Sequence, residues 1–392
     1  MNLCHYFPSS GTPLDDDDLL TQVLLFLPSP SSLGHASLVC KRWHQLISDP
    51  RFHRRFCACH QKPPLLGVFS TDSICSGNIY FTPTPDSPDH TPAVARLVVC
   101  LGSGSEILGC RHGRLLASNW ARHHFCVWDP ITGDQRHVTF PQAFDGRRKV
   151  VMNGALICVA REQSHVHGSC CSGPFQVVLL GRTARRIFAC VYSSETGAWG
   201  NCTSILRGHF RAVSANHSST RVGNSICWLL TGQSLAILEF DMHLQRLAVI
   251  EVPSDALDPD NFIQVSIMPA DGGGLGFLVL SYSIIQLWRR KDTCDGVAEW
   301  VLRNTIEMSS TLSLRPQSLV ENPPLILGFA EEDNVLFLFI DFDIFMLNIG
   351  SVKFKKLAED MGYRLCHPFT SFYIPGMGIG SGHGGVQIQH NA

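Results

Sequence analysis

The sequence predicts an α+β chain of two unequal units: a small all-α unit at residues 14–56 and a large all-β domain at residues 65–375, read as a propeller of six or seven blades. Three observations carry that prediction. Apolar residues recur at helical spacing only before Phe56. Beyond Leu65 they come in short runs, many β-branched or aromatic, bounded by Gly, Pro, Asp and Asn. Those later runs also echo one another at a loose period, as repeated supersecondary units do.

In the first unit Leu20, Val23, Leu24 and Leu27 fall at i, i+3, i+4 and i+7, one face of a helix, and Leu19, Leu25 and Phe26 widen that face. Asp15 to Asp18 precede the run, where carboxylates cap free amides and meet the positive end of the helix dipole. Pro28 and Pro30 stop this helix. Ser31 or Ser32 is placed to cap a second one carrying Leu33, Ala36, Leu38 and Val39, and a third pattern follows at Cys40, Trp43, Leu46 and Ile47. Asp49-Pro50 then closes the unit. Three short helices cannot enclose this much apolar surface, because so small a unit leaves a large fraction of its surface exposed. A partner is therefore expected for part of it.

Residues 57–64 read as a connecting segment. After it, Leu65 to Phe69, Ala93 to Leu101, Arg114 to Ser118, Phe125 to Asp129 and Ala155 to Ala160 read as strands, and so do FQVVLLG, IFACVYS, SICWLL, LAILEFD, GFLVLS, IIQLW, VLFLFID and FMLNI. Thr82 to Pro92, TPTPDSPDHTP, reads as an exposed loop. The segment Val127-Trp128-Asp129-Pro130-Ile131-Thr132-Gly133 is echoed at Val191 to Trp199, Glu239 to His243, Gln286 to Trp288 and Phe345 to Asn348. A single four-stranded blade cannot bury both its faces, so stacking blades around an axis explains the repetition. A β-sandwich array remains the alternative at the level of strand periodicity. Residues 1–13 and the Gly-rich 376–392 read as disordered and flexible ends.

Composition narrows the function classes. Of 392 residues 45% are hydrophobic and 16% charged, which predicts a packed chain, and the net charge of -2 provides no broad basic field for nucleic acid. The opening MNLCHYFPSSGTP has no basic region or apolar core for secretion, so the sixteen cysteines are expected reduced, with Cys100, Cys126, Cys158, Cys190 and Cys227 acting as small hydrophobes in strands. No run is long enough for a membrane helix; the richest, Val335 to Ile349, is broken by Asp341 and Asp343. These features predict a soluble protein of the cytoplasm or nucleus, without membrane or nucleic-acid partners.

The residues also resemble a known family. The helix ending in Leu27-Pro28-Ser29-Pro30, then Leu33, the run Ser37-Leu38-Val39-Cys40-Lys41-Arg42-Trp43 and the block Leu46-Ile47-Ser48-Asp49-Pro50-Arg51-Phe52 resemble an F-box. Downstream, GRLLA, VWDPITGDQRHVTFP, VYSSETGAWG, VGNSICWLL, ILEFDMHLQRLAVIEVP, IIQLWRRKD and LGFAEEDNVLFLFIDFDIFMLNI resemble, in order and spacing, the F-box-associated region of plant proteins, mostly from grasses. The resemblance implies an adaptor of a Skp–cullin–F-box ubiquitin ligase, in which the F-box docks a Skp-family linker protein and through it a cullin while the β-domain holds a target protein. It implies linker-binding roles for Leu14, Leu20, Leu24, Leu27, Pro28, Leu33, Val39, Cys40 and Trp43, partly as direct contacts and partly as the packing that presents them. The family usually opens with Leu-Pro; here Asp15-Asp16 stands at those positions, and Leu14 can serve only after a one-residue adjustment.

Other chemistry is weighed against plainer readings. His165, His167, Cys170 and Cys171 are metal-ligand types, but adjacent cysteines chelate poorly and a loop between strands suffices; Cys57, Cys59 and His60 lack a second ligand pair. Gly376, Gly378 and Gly380 precede no helix that would supply amides to a phosphate. No G-x-S-x-G or comparable cysteine setting is present. Arg147-Arg148-Lys149 and Arg182 to Arg186 read as solvated turns, with recognition of an acidic motif as the second reading. Trp128, Trp199, Trp228, Trp288 and Trp300 are expected between blades, while Trp120, in a polar loop, is a candidate contact for the target. No metal or cofactor is expected, and no catalytic residue is assigned. The alternatives to an adaptor are a non-ligase propeller interaction protein with a degenerate F-box and a propeller enzyme with His and acidic residues near its axis.

Overall fold

The computed structural model describes residues 14, 16–28, 30–71, 77–85, 98–100, 102, 104–144, 150–159, 173–208, 210–213, 218–257, 262–292, 298–309, 319, 321–359 and 364–372. The helical unit has four helices. α1 (Asp17–Leu25) begins where Asp16 caps it, its carboxylate accepting the Asp18 and Leu19 amides at 2.8 and 3.3 Å. α2 (Pro30–Ser37) starts on Pro30 itself, whose absent N–H is no loss in a first turn, so Ser31 and Ser32, expected as caps, lie inside the helix. α3 (Lys41–Ser48) follows Cys40. Asp49-Pro50, expected to end the unit, instead opens α4 (Pro50–His60): Asp49 accepts the Arg51 amide at 2.7 Å and Pro50 takes the first helical position. Because α4 runs to His60, the first half of the expected connector is helical, and Cys57 is buried with Phe52 and Phe56.

Among the described residues the strands form six antiparallel sheets, and these are the blades of the ring. Blade 1 holds β1 (Leu65–Thr71), β2 (Asn78–Pro83), β3 (Val98–Cys100) and, as its innermost strand, β26 (His367–Thr370). Blade 2 holds β4 (Ser105–Arg111), β5 (Arg114–Asn119), β6 (His124–Trp128) and β7 (Gln135–Thr139). Blade 3 holds β8 (Val150–Cys158), β9 (Phe175–Arg182), β10 (Arg186–Ser193), β11 (Ala198–Trp199) and β12 (Thr203–Leu206). Blade 4 holds β13 (Phe210–Val213), β14 (Thr220–Val222), β15 (Ser225–Gly232), β16 (Ala236–Asp241) and β17 (Arg246–Glu251). Blade 5 holds β18 (Ile263–Pro269), β19 (Leu275–Ser281), β20 (Ile284–Asp292) and β21 (Ala298–Glu307), and blade 6 holds β22 (Leu325–Ala330), β23 (Val335–Ile340), β24 (Asp343–Asn348) and β25 (Lys353–Ala358). Thr82 and Pro83, expected in a loop, complete β2.

A propeller, rather than a sandwich array, follows from where the core lies. Each seam between neighbouring blades has its own apolar cluster: Phe69 with Trp128, Phe125 with Tyr192, Ile187 with Trp228, Ile237 with Phe277, Leu278 with Leu336, and Phe337 with Val68. The last of these returns to blade 1, where β26 pairs with β1 and closes the ring. Gly328 permits that closure, since a Cβ there would collide with the Cys366 carbonyl. Tryptophans sew the outer strands together, the Trp199 indole donating to the Thr139 carbonyl at 3.0 Å and the Trp300 indole to that of Glu251 at 2.9 Å. Cys126 and Cys227 are buried free thiols, as expected, but Cys190 is joined to Cys202 in a disulfide that ties β10 to the approach of β12. The Cys190 reading is thus corrected. The cause is register: Ala189 pairs with Thr203, which sets the next residues, Cys190 and Cys202, side by side.

The helical unit rests on the face of the ring where β1 begins and β26 ends. The Ser371 amide donates to the Pro64 carbonyl at 3.3 Å, and His53 Nε2 donates to the Phe372 carbonyl at 3.2 Å. Phe372 is buried in the core of the helices, edge-on to Phe56 at 6.2 Å between centroids. Lys62 pairs with Asp333, in the turn between β22 and β23, at 2.7 Å. The strand that closes the propeller therefore also completes the core of the helical unit.

Candidate functional site

The residues expected at the linker interface divide by burial. Leu20, Leu24 and Leu33 are fully buried and, with Ile47 and Phe56, hold the helices together; Leu27 and Trp43 are half-buried against the same core. These five are therefore the packing that presents the surface, because the side of α1 carrying Leu20, Leu24 and Leu27 turns inward onto the helical core. Leu14, Pro28, Val39 and Cys40 are exposed. The apolar surface left to a partner is the opposite stripe of α1, Leu19, Val23 and Phe26, together with Leu38 and Val39 after α2. Phe26 and Leu38 are each 81% exposed, Val39 64% and Val23 51%. Leu19, Val23 and Phe26 lie at i, i+4 and i+7, so the signal was present in the sequence as the excess width of the apolar face. Periodicity alone does not say which stripe faces inward.

The acidic start of α1 is built into the unit. Arg42, the second residue of α3, donates through Nε to Asp17 at 2.7 Å and through Nη1 to the Leu14 carbonyl at 2.8 Å. Asp16 is the cap of α1. The second of the two positions where the family has Leu-Pro, Asp16, is thus a helix cap, and Leu14 is tied to Arg42 through its carbonyl with its side chain exposed. The Arg42–Asp17 pair is exposed on both sides, so its contribution is positional rather than strongly stabilising.

A second polar cluster lies at the propeller axis. The Arg111 guanidinium, at the end of β4, pairs with Glu331 and donates to the carbonyls of Ser219 at 3.0 Å and Leu156 at 3.4 Å. Glu331 in turn accepts the Arg221 amide at 2.7 Å. One ion pair therefore joins blades 2, 3, 4 and 6. His367 Nδ1 and Ser218 Oγ lie 3.0 Å apart, and burial lowers the His367 pKa to about 4, keeping the ring neutral. A serine beside a neutral histidine is the contact a nucleophile and its base make. The axial cavity, however, measures about 60 Å³. That is room for a few waters and well below the several hundred Å³ of small-molecule sites. Burial also raises the thiols lining it, Cys366 to about 12 and Cys110 further, so neither supplies a thiolate. The axis braces the ring.

The remaining candidates resolve similarly. His60 Nε2 donates to the Leu25 carbonyl at 3.1 Å and its ring lies 4.1 Å from that of Phe56; Cys57 is buried and Cys59 exposed. Among the described residues no group of three or more His, Cys, Asp or Glu is placed to hold a metal ion, and no helix is long and apolar enough to cross a membrane. Trp120 is not a free surface indole: it donates to Glu106 at 3.1 Å and packs beside Phe140. Residues 165–171, Arg147 to Lys149 and the Gly-rich tail lie outside the described residues.

Comparison with known proteins agrees with this geometry. Residues 106–375 match the family described as F-box protein AT5G49610-like, beta-propeller, and residues 17–59 match the F-box-like family. The chain is similar to the F-box protein At5g03970 of Arabidopsis thaliana, 21% identical over 86% of this chain and 81% of that one. It is also similar to the F-box/kelch-repeat protein At3g61590 of the same plant, 23% identical over 81% of this chain and 75% of that one. Among solved structures apo AztD from Citrobacter koseri aligns with a TM-score of 0.37 at 9% identity, over 77% of this chain and 88% of that one, a similarity too low to argue from.

Proposed function

This chain belongs to the AT5G49610-like F-box proteins with a β-propeller, and from that premise we propose that it is the substrate-recognition adaptor of a Skp–cullin–F-box ubiquitin ligase. The observation that carries the reading is the apolar surface of Leu19, Val23, Phe26, Leu38 and Val39, left uncovered on a helical unit that is locked to a ring. A Skp-family linker covers that surface and joins the chain to a cullin. The chain makes and breaks no bond itself. Its contribution is proximity: a target held on the propeller meets the activated ubiquitin at high local concentration, so transfer becomes effectively intramolecular. The reading implies action in the cytoplasm or nucleus.

A second reading, a propeller interaction protein outside any ligase, draws on Asp15-Asp16 in place of Leu-Pro. One experiment separates the two. The full chain is mixed with recombinant Skp-family linker and resolved by size-exclusion chromatography with light scattering. The adaptor reading expects an equimolar complex at micromolar concentration that recruits a cullin amino-terminal domain, and two separate peaks would sink it.

A further inference from the structure

Blade 3 ends, on the face away from the helical unit, in a set of arginines that neither the docking surface nor the axis uses. Topology sets the face: the helices pack where β1 begins, and the β9–β10 turn lies at the opposite end of its strands. Arg182 closes β9, Arg185 sits in the turn, Arg186 opens β10, and Arg207 follows β12 with its amide donating to the Arg185 carbonyl at 2.8 Å. Thr183 Oγ1 accepts the Arg185 and Arg186 amides at 3.3 and 3.0 Å, which fixes the turn before any partner arrives. Arg186 is steadied through Nε on Ser204 Oγ at 3.0 Å.

Charge and register then define what fits. Among the described residues Arg182, Arg185 and Arg186 take part in no ion pair, and the carboxylate described in blade 3, Glu195, lies in the turn at the other end. Two apolar side chains stand at this end in neighbouring rows, on opposite faces of the sheet: Val150 opposite Arg182 and Leu206 opposite Arg186, 49% and 71% exposed. Blade 2 extends the positive surface with Arg122, whose charge, after burial and His124, helps hold the His137 pKa below its usual range; Glu106 nearby is engaged by Trp120. Blade 4 carries Glu251 and Asp255 on this face, which bounds the surface on that side.

We infer that this end of blade 3, extending toward blade 2, binds an acidic peptide segment of the target protein, with a leucine-like side chain between its carboxylates. The inference rests on the adaptor reading for calling the partner a target. Guanidinium forks match carboxylates bidentately, and a local positive surface on a chain of net charge -2 steers an acidic segment to one place. Exposed Leu206, paired with Arg186, gives an apolar anchor that a nucleic-acid backbone has no use for.

The test is fluorescence anisotropy of the full chain with a labelled Glu/Asp-rich peptide carrying one central leucine, at low and at physiological salt. Saturable binding that weakens with salt is expected, with a loss of about tenfold in Arg185→Glu/Arg186→Glu and a further loss in Leu206→Asp. Arg185→Ala, confined to an exposed turn, gives a smaller loss in the same direction if the double reversal disturbs the hairpin. The inference is overturned by absence of saturable binding, by affinity indifferent to these variants, by binding that requires phosphoserine in the peptide, or by displacement of the peptide by single-stranded RNA of equal charge. Linker co-purification is measured in parallel. Retained linker with failed peptide binding removes this inference alone, whereas loss of linker binding by the unaltered chain removes the adaptor reading.

Discussion

The docking surface makes a quantitative demand at Val23 and Val39. Val23 keeps 51% of its surface and Val39 64%, and a partner that covers them removes that remainder from water. Fully burying a valine is worth about 1.5–3 kcal/mol, so the uncovered halves of two amount to roughly 2 kcal/mol together. Val23→Ala/Val39→Ala should therefore weaken the linker complex by about thirtyfold. Val23→Asp/Val39→Asp adds the desolvation of two carboxylates, several kcal/mol each, and should leave no complex at micromolar concentration. Neither change should unfold the protein, because substitutions at such exposed positions usually alter stability by no more than about 0.5 kcal/mol. Leu24, buried in the helical core, is the contrasting control, where truncation costs about 2–5 kcal/mol of folding and weakens binding only through unfolding. Isothermal titration calorimetry against recombinant linker reads both constants, with circular dichroism to verify the fold. An aspartate variant that stays folded and binds as tightly as the parent would refute the assignment of this surface.

Three further outcomes follow from the packing. Phe372→Ala removes the ring that joins the closing strand to α4 and should cost on the order of 3 kcal/mol locally, seen as faster hydrogen exchange across Pro50–His60 with blades 3 to 5 unchanged; uniform exchange throughout would contradict the coupling. Arg111→Met leaves Glu331 without its partner and should lower stability in urea by about 3–5 kcal/mol, whereas adding Glu331→Leu should recover part of the loss; additive losses would show that the two are not coupled. His367 has a folded pKa near 4, depressed below its unfolded value, so the neutral ring contributes its full stability above about 6.5 and that contribution is lost as pH falls from about 6.5 toward 4, on the order of 3 kcal/mol in all. His367→Gln should flatten that acid limb in thermal melts, and an unchanged limb would remove His367 as its cause.

How much of this was legible beforehand depended on the range of the interaction. Strand runs and the helical start were readable because they are local: alternation, Asp at the cap, Gly and Pro at the turns. The fourth helix was missed because Asp49-Pro50 reads equally as a stop and as a cap followed by a first-turn proline; only the burial of Phe52 and Phe56 decides between them. Which docking residues are exposed and which pack beneath them was not legible for a related reason. α1 is apolar on two sides, and which stripe faces inward is fixed by α4 and Phe372, more than 300 residues apart in the chain. The Cys190–Cys202 disulfide and the axial Arg111–Glu331 pair depend on strand register and on ring closure, neither of which leaves a local mark. Arg182 to Arg186 were visible as a run. Their joining by Arg207 and Leu206 required the β10–β12 pairing.

Ring closure and the seating of the helical unit are one structural event in this chain. β26 enters blade 1 as its innermost strand, and the two residues after it, Ser371 and Phe372, are spent on Pro64, His53 and Phe56 rather than on the propeller. A ring left open at blade 1 would leave α4 without its aromatic partner. The Lys62–Asp333 pair places a second tie on blade 6, at the other side of the same closure. Two ties on neighbouring blades resist rotation as well as separation, which a single flexible linker does not. Effective concentration at a fixed catalytic centre is greatest when the span between the bound ends is fixed. A target held at blade 3 would thus be presented at one distance from the docking surface, so that which of its lysines is reached depends on the target's own geometry rather than on motion between the two units.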